Sequence, residues 1–383
     1  MPIKTPFYDQ LTAEVSAFGG IVNAHMHLDR AGTMAAQYMD ASGVEGDESS
    51  AISLAKKHSI ISVLHDGDAY DPELLTARVT PYLDTLVECG TRRADTVVDC
   101  TDDRVQLSAL DAFRRLKEQY SGALDLNLAA YNPLGFRDDL PGRWSLFAKA
   151  AEQADFLGSL PERDDKADYP DHIGFSESCQ RVLRLAKDLG KPVHVHTDQR
   201  NLPSEQATEL LIKAVDDLGG FPRIGDEPMI WAIHVISPST YDEDRFNRMV
   251  DGLVRNDIGV ICCPSAAISM RQIRHVMTPT YNCIARVLEM LAAGVHVRLG
   301  SDNIADMCSP AATPDLRDEI FVLSNALRFY DIGILAKLVA GRQIDEADRS
   351  LISRHLQADV VEMKRAATLY GSAESKRRKG RLA

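Results

Sequence analysis

Histidine and aspartate residues with the spacing of a metal site occur at four places in this 383-residue chain. These places are His25-Met26-His27-Leu28-Asp29-Arg30, His194-Val195-His196-Thr197-Asp198-Gln199, His234 and Gly300-Ser301-Asp302-Asn303. Three imidazoles and one carboxylate can hold Zn²⁺, Fe²⁺ or a similar divalent ion and leave one or two positions for water. Because such an ion lowers the pKa of bound water to about 7, the pattern predicts a metal-dependent hydrolase.

The four places lie at the ends of predicted β-strands, and side chains two residues apart on a strand face the same side. Eight β-rich runs alternate with stretches of helical periodicity. They cover residues 20–24, 96–100, 124–129, 156–158, 192–196, 230–234, 259–263 and 295–299. This alternation predicts parallel strands with right-handed crossovers, closed into an α/β fold of the (β/α)8 TIM-barrel type.

An open, doubly wound sheet is the alternative to a barrel. Such a sheet normally carries a glycine-rich nucleotide loop after an early strand, and neither GxGxxG nor GxxxxGKS/T occurs here. In a barrel, the active site is built from the C-terminal ends of the strands, which is where the four places lie.

The spacing of the predicted ligands indicates a single domain over residues 1–383. His25 and Asp302 are 277 residues apart in the sequence, yet they should contact the same ion. We expect the barrel to cover about residues 18–315, extra C-terminal helices about 316–371 and a basic tail 372–383.

Composition and charge exclude several classes of protein. The 43 Lys and Arg against 56 Asp and Glu give a net charge of −13, which disfavours nucleic acid as a partner. No run of about 18 apolar residues could cross a membrane, and the first residues lack a signal-peptide core, so we expect a cytoplasmic protein. The seven cysteines are odd in number and include no CxxC pair, which disfavours a disulfide scaffold.

The motifs resemble those of the amidohydrolase superfamily, nearest to the group of cytosine deaminase and N-isopropylammelide isopropylaminohydrolase. The similarity runs in order from about residue 20 to about residue 370. The matching segments are residues 25–29 (HMHLD), 96–102 (TVVDCTD), 196–199 (HTDQ), His234 and 300–306 (GSDNIAD). Most enzymes of this group also have a β-sandwich domain, for which this chain has no room before His25 or after Tyr370.

The resemblance implies a site with one metal ion. His25, His27, His196 and Asp302 would be its ligands, Asp302 would also act as the base, and His234 would lie beside the ion. Two-metal members bridge their ions with a carboxylated lysine after the fourth strand, and residues 156–160 contain no lysine. Zn²⁺ is the expected ion, with Fe²⁺ or Mn²⁺ as alternatives. His194 remains an alternative to His196 as the ligand from the fifth strand.

One departure concerns proton transfer. Deaminases of this group have a glutamate three residues after the histidine of the fifth strand, and this chain has Gln199. An amide can orient a substrate but cannot exchange protons near neutral pH. Proton transfer would then fall to Asp302, Asp198 or His234.

Other polar residues near these motifs are candidates for substrate binding or for structural roles. Arg30, Asn132, Asp198 and Asn303 are the predicted substrate-binding residues, and Gln199 is grouped with Asp302 and His234 as catalytic. Asp198 and Gln199 could equally hold the ligating side chains in position without contacting the substrate. Six further histidines are predicted to be structural: His58, His65, His172, His275, His296 and His355.

Taken together, these features predict a hydrolase that cleaves a C–N bond of a small nitrogen heterocycle, of the aminohydrolase or deaminase type. Because of Gln199, ring opening of a cyclic amide is an alternative. A metal-dependent isomerase or lyase and a non-catalytic metal-binding barrel are the other two hypotheses. The expected partner is a small heterocyclic substrate, with neither nucleic acid nor membrane, and a homo-oligomer is left open.

Overall fold

Eight parallel strands form one sheet in the order β1 to β8 in the computed structural model, which describes residues 5–42, 54–270 and 283–380. The strands are β1 Ile21–Met26, β2 Thr91–Asp99, β3 Asp125–Tyr131, β4 Phe156–Ser159, β5 Val193–Thr197, β6 Ile230–His234, β7 Ile258–Cys262 and β8 Val297–Leu299. Each overlaps a predicted strand, and helices connect them, so the (β/α)8 barrel is confirmed.

The helices of the described residues form an outer layer and a C-terminal extension. They are α1 Pro6–Ala17, α2 Ala36–Ser42, α3 Leu54–Asp66, α4 Pro72–Glu88, α5 Ser108–Tyr120, α6 Pro141–Gln153, α7 Phe175–Leu189, α8 Ala207–Asp217, α9 Glu243–Arg255, α10 Pro264–Ile268, α11 Val287–Ala293, α12 Leu316–Leu327, α13 Ile332–Val339 and α14 Glu346–Gly380. The last helix extends past the predicted boundary at residue 371.

Helix α7 illustrates how the sequence builds these units. It buries Val182, Leu183 and Ala186 on one face, as its helical periodicity predicts. The helix ends at Gly190, whose φ of +63° suits glycine, and the Lys191 amide donates to the Ala186 carbonyl across 3.1 Å. The chain then turns directly into β5, which carries a predicted metal ligand.

The barrel closes where β8 meets β1, at the end that carries the predicted site. The Asp302 amide donates to the His25 carbonyl across 2.9 Å, and the His27 amide donates to the Asp302 carbonyl across 3.1 Å. These two backbone bonds position three of the predicted ligands relative to one another.

A cluster of charged residues fills the opposite end of the barrel. Glu227 lies between Arg93 and Arg298, with 3.2 Å from its Oε1 to Nη1 of Arg93. The Arg298 guanidinium lies 4.4 Å from the centre of the Trp231 ring, which is fully buried. Because barrel enzymes place their chemistry at the other end, we assign this cluster to stability.

The structure also describes most of the features that the sequence predicts to be structural. His172 contacts Asp164, His296 contacts the Gly341 carbonyl and His355 packs on Phe329. His275 and the side chain of His58 lie outside the described residues. All seven cysteines are unpaired. In the described part of the chain, every helix is too short or too polar to span a membrane.

Candidate metal centre

The four predicted ligands converge at the C-terminal mouth of the barrel. Each of His25, His27, His196 and Asp302 offers a ligand atom, and these atoms all lie within 4.8 Å of one another. Asp302 Oδ1 is 3.3 Å from Nε2 of His27 and 3.6 Å from Nε2 of His25, and the Nε2 atoms of His27 and His196 are 3.4 Å apart. The structure thus brings these residues together, and metal binding itself stays a prediction.

These separations fit a zinc-like ion. Zn–N and Zn–O bonds of about 2.0–2.2 Å in tetrahedral geometry place neighbouring ligand atoms about 3.3–3.6 Å apart. Neither ring nitrogen of His25 has a hydrogen-bond partner, and neither does Oδ1 of Asp302, although all three atoms are buried. Buried polar atoms normally have partners, and a bound cation would supply one to these three atoms.

A hydrogen bond to the backbone favours His196 over His194 as the predicted ligand from β5. The Nδ1 atom of His196 is 3.0 Å from the Ser159 carbonyl oxygen, which can only accept, so Nδ1 carries the proton. The lone pair of Nε2 is then free for a metal, as in many metal sites. His194 points into the same barrel interior but packs against Phe156, with ring centres 4.4 Å apart, and is not a member of the ligand group.

The charge states of the site suit metal binding. Burial, with the charge of Arg30, lowers the pKa of His27 to about 3, and burial with the neighbouring histidines holds the pKa of His196 well below its usual range. These imidazoles are therefore neutral at pH 7, as a ligand must be. Burial alone would raise the pKa of Asp302, but His234, His25 and His27 hold it well below its usual range, so this carboxylate is ionised.

His234 lies beside the ligand group with an uncommon backbone conformation. Its φ is +75°, and Asp198 and Asp302 at the ends of β5 and β8 have φ values of +55° and +58°. Such conformations in residues other than glycine concentrate at functional sites. The His234 ring centre is 5.5 Å from that of His196, burial lowers its pKa to about 4, and its Nδ1 has no hydrogen-bond partner.

Arg30, predicted to bind substrate, is instead surrounded by protein groups. It is 5% exposed and contacts Nδ1 of His27. Burial alone would lower its pKa, but the charges of Asp99 and Asp29 raise it well above its usual range. The guanidinium therefore pairs with His27 and lies in the field of two carboxylates, although its Nε has no hydrogen-bond partner.

A buried network behind Arg30 was not predicted as part of the site. Asp29 accepts from the Asp99 amide at 2.8 Å, and the Tyr70 hydroxyl lies 2.8 Å from Asp99 Oδ2. His65 contacts Asp99 at 3.0 Å and Asp103 at 2.6 Å. Asp99 lies within the β-rich run 96–100 of the second motif, which was the available signal, whereas His65 lies on helix α3 and was predicted to be structural.

Two predicted substrate-binding residues are engaged elsewhere. Both oxygens of Asp198 accept from the first turn of α8, from the Ala207 amide at 2.8 Å and the Thr208 amide at 3.0 Å. The Asn132 side chain accepts from the Leu134 amide at 2.9 Å and so shapes its own loop. The structure thus assigns both residues to positioning, because their polar atoms are already used.

The remaining predicted residues face the mouth of the barrel. Oδ1 of Asn303 is buried without a hydrogen-bond partner, which leaves it available to a ligand. Gln199 is 8% exposed, and its Nε2 donates to Glu162 across 3.0 Å. Tyr131, at the end of β3, was not predicted, yet its ring centre lies 5.5 Å from that of His27 and 5.4 Å from that of His196.

Sequence comparisons find few relatives with a described activity. No protein-family model matches the chain. An uncharacterized protein of Haemophilus influenzae is 28% identical over 286 residues, covering 74% of this chain and 95% of that protein. A pterin deaminase of Rhizobium rhizogenes is 22% identical over 217 residues, covering 57% of this chain and 46% of that enzyme.

Solved structures share the barrel. The 5-methylcytosine deaminase of Klebsiella pneumoniae, liganded with 5-fluorocytosine, has a TM-score of 0.70 at 23% identity and covers 84% of this chain and 72% of its own. The N-isopropylammelide isopropylaminohydrolase of Burkholderia multivorans has a TM-score of 0.63 at 20% identity, with 84% and 73% covered. Atrazine chlorohydrolase of Arthrobacter aurescens, complexed with zinc, has a TM-score of 0.51 at 14% identity, with 82% and 65% covered.

These comparisons confirm the resemblance predicted from the sequence. The solved structures with the higher TM-scores are a deaminase and an aminohydrolase, and one sequence relative is a pterin deaminase. At these identities the structural likeness establishes the shared fold, while substrate and metal have to be argued from the site itself.

Proposed function

We propose that this protein is a metal-dependent aminohydrolase that cleaves a C–N bond of a small nitrogen heterocycle. The observation that carries the proposal is the convergence of His25, His27, His196 and Asp302, with His234 beside them, at the mouth of the barrel. Zn²⁺ is the ion we propose, with Fe²⁺ or Mn²⁺ as alternatives, since neutral imidazoles and one carboxylate suit all three.

The chemistry divides among the residues of this site. A bound divalent ion would activate water and polarise the substrate. The ionised carboxylate of Asp302, near the ligand nitrogens, accepts a proton from the attacking water. His234 lies where charge develops on the substrate and stabilises it by hydrogen bonding. Asn303 Oδ1 and the Gln199 amide orient the ring through its polar edge, and the ring of Tyr131 limits the pocket beside His27.

The names of the relatives suggest substrates to test first. One relative is a pterin deaminase, and one similar structure is a 5-methylcytosine deaminase. We propose that this chain acts on a heterocycle of this size. Ring opening of a cyclic amide is the second candidate, because Gln199 replaces the glutamate that deaminases of the group use.

The test combines metal analysis of the purified protein with a screen of pyrimidines, triazines, pterins and lactams. Ammonia or amine release with formation of a carbonyl would support the proposal. A gain of one water without ammonia would indicate ring opening, and a product with the mass of the substrate would indicate an isomerase. A metal-free protein with no turnover after addition of Zn²⁺, Fe²⁺ or Mn²⁺ would overturn the proposal.

A further inference from the structure

The amide at position 199 lies against a carboxyl group from the neighbouring strand. Glu162 lies in a short 3-10 turn, Pro161–Asp164, that follows β4, and Gln199 follows the adjacent strand β5. The two side chains meet in the 3.0 Å hydrogen bond from Gln199 Nε2 to Glu162 Oε2. The same segment contacts the ligand group, because the Ser159 carbonyl holds Nδ1 of His196. A carboxyl group is thus present beside position 199, although position 199 itself lacks one.

The surroundings of Glu162 keep its carboxyl neutral. Burial, with the nearby charges of Glu205 and Asp198, raises the pKa of Glu162 well above its usual range. Arg200 opposes this shift, but its charge is shared with Asp168 at 2.6 Å and Glu205 at 3.6 Å. Gln199 contributes a hydrogen bond and no charge. Glu162 can therefore carry a proton where most glutamates cannot.

The hydrogen bond also fixes which oxygen of Glu162 carries that proton. Oε2 accepts from the amide of Gln199, so it is the carbonyl oxygen of the neutral carboxyl group. Oε1 is buried and has no hydrogen-bond partner, so it is the hydroxyl oxygen and its proton is free to be donated. The carbonyl oxygen of Gln199 remains available to accept from a substrate.

We propose that Glu162 is the proton donor to the leaving nitrogen, supplying the function that Gln199 cannot. The proposal rests on the proposed aminohydrolase activity. Water adds to the ring carbon and loses one proton to Asp302. Oε1 of Glu162 gives its proton to the nitrogen, the C–N bond breaks, and its electron pair leaves with the amine. Of the two protons left, on the added oxygen and on Asp302, one restores neutral Glu162 and the other goes to the ring nitrogen that took up the electron pair of the C=N bond when water added, so that substrate and water become carbonyl product and amine.

An exchange of the two side chains tests this assignment. In the metal-loaded protein, with pterin or 5-methylcytosine as substrate, Glu162→Gln should lower kcat about 100-fold or more, the range of general acid catalysis, with KM and metal content little changed. The double variant Glu162→Gln/Gln199→Glu keeps the hydrogen-bonded pair but moves the carboxyl group across it, and its kcat should be at least about tenfold above that of Glu162→Gln. Glu209→Gln, on the surface beside Arg245, is the matched control.

A second readout is independent of turnover. In the infrared difference spectrum between the metal-loaded wild type and Glu162→Gln at pH 7, the wild type should show an additional carbonyl stretch of a protonated carboxyl group, beyond that of the buried carboxyl groups that both proteins share. If the wild type hydrolyses neither substrate, the proposed function is in doubt, while the infrared band still decides whether Glu162 holds a proton. The inference is overturned if that band is unchanged in the variant, or if Glu162→Gln turns over at the wild-type rate.

Discussion

Asn23 on β1 and Ser301 after β8 exchange two hydrogen bonds across the closure of the barrel. Asn23 Nδ2 donates to Ser301 Oγ at 2.7 Å, and the Ser301 amide donates to Asn23 Oδ1 at 3.0 Å. Both residues are fully buried. Ser301 directly precedes the predicted ligand Asp302, and Asn23 lies two residues before the predicted ligand His25. This pair therefore links the stability of the closed barrel to the position of the ligands.

Removal of this link should destabilise the fold. Asn23→Ala leaves the buried amide of Ser301 without a partner, at a cost of about 1–3 kcal/mol in the free energy of unfolding. Urea unfolding of Asn23→Ala, Ser301→Ala and the double variant gives the coupling energy, which we expect to be about 1 kcal/mol. Strictly additive effects would show that the two side chains do not stabilise each other.

The close approach of β8 to β1 makes Gly300 irreplaceable. A Cβ atom at position 300 would lie 2.7 Å from the His25 carbonyl oxygen and 2.9 Å from the His25 Cβ. Gly300→Ala should therefore lower the melting temperature and weaken metal binding, because His25 must move. The control is Gly142→Ala in α6, where an added Cβ meets nothing within 4 Å and should be neutral or stabilising. Equal metal affinity in the two variants would contradict this view of the site.

Two histidines of one strand should differ in their effect on metal content. His196→Asn removes a predicted ligand and should lower the affinity for Zn²⁺. Loss of a group that only hydrogen-bonds to a ligand typically costs roughly 10- to 100-fold in affinity, and we expect a larger loss here. His194→Asn, two residues earlier in the same strand, should keep its metal. Inductively coupled plasma mass spectrometry after dialysis against a weak chelator measures both. Loss of metal from the His194 variant alone would make His194 the ligand.

Asp302 should be essential for turnover through its charge. Asp302→Asn keeps the shape of the side chain but cannot take a proton, so kcat should fall at least about 100-fold. Binding of the substrate, followed by calorimetry, should remain measurable. Asp306→Asn is the matched control, because an amide oxygen can still accept from the Cys308 and Ser309 amides as Asp306 does. Turnover near the wild-type rate in Asp302→Asn would remove this residue from the role of base.

The network behind Arg30 should make stability depend on pH. Burial alone would lower the pKa of His65, but its hydrogen bonds to Asp103 and Asp99 raise it from 6.5 to about 9. The charged form is thus favoured in the folded protein, and its stabilisation is complete below about pH 6.5 and is lost as the pH rises through 9. Its size is about 3 kcal/mol for a shift of this extent.

This dependence can be measured by urea unfolding between pH 6 and pH 9.5. The wild type should lose stability over this range, whereas His65→Gln should be less stable at pH 6 and should lose clearly less stability between pH 7.5 and pH 9.5. His355→Gln, whose ring packs on Phe329, serves as the control and should follow the wild type. A wild-type slope in His65→Gln would show that another group titrates.

The sequence predicted the parts of the site that depend on strand ends. His25, His27, His196, His234 and Asp302 are found at the barrel mouth because alternation along strands and the parallel order of strands determine where each side chain points. The same reasoning predicted all eight strands with end points shifted by a few residues, as for β2, which begins at Thr91 rather than at residue 96.

The sequence could not predict contacts that depend on how loops fold. Glu162 lies in a polar loop, and its importance follows from the hydrogen bond to a residue 37 positions away. For Asp198 the sequence left substrate contact and structural support open, and the start of α8 donates to both oxygens of its carboxylate, which favours structural support. Asn132 is a similar case, because its side-chain amide donates to the carbonyl of Gly135, three residues later in the same turn.

The order of the ligands along the chain affects how the protein is made. His25 and His27 leave the ribosome first, and Asp302 follows after 277 further residues, a synthesis time of roughly 15 to 55 s at about 5–20 residues per second. During this time the nascent chain exposes histidines without the carboxylate that completes their set. The proposed ligand set would be complete only after β8 has joined β1, so in the cell metal loading would be a late event that reports completed folding.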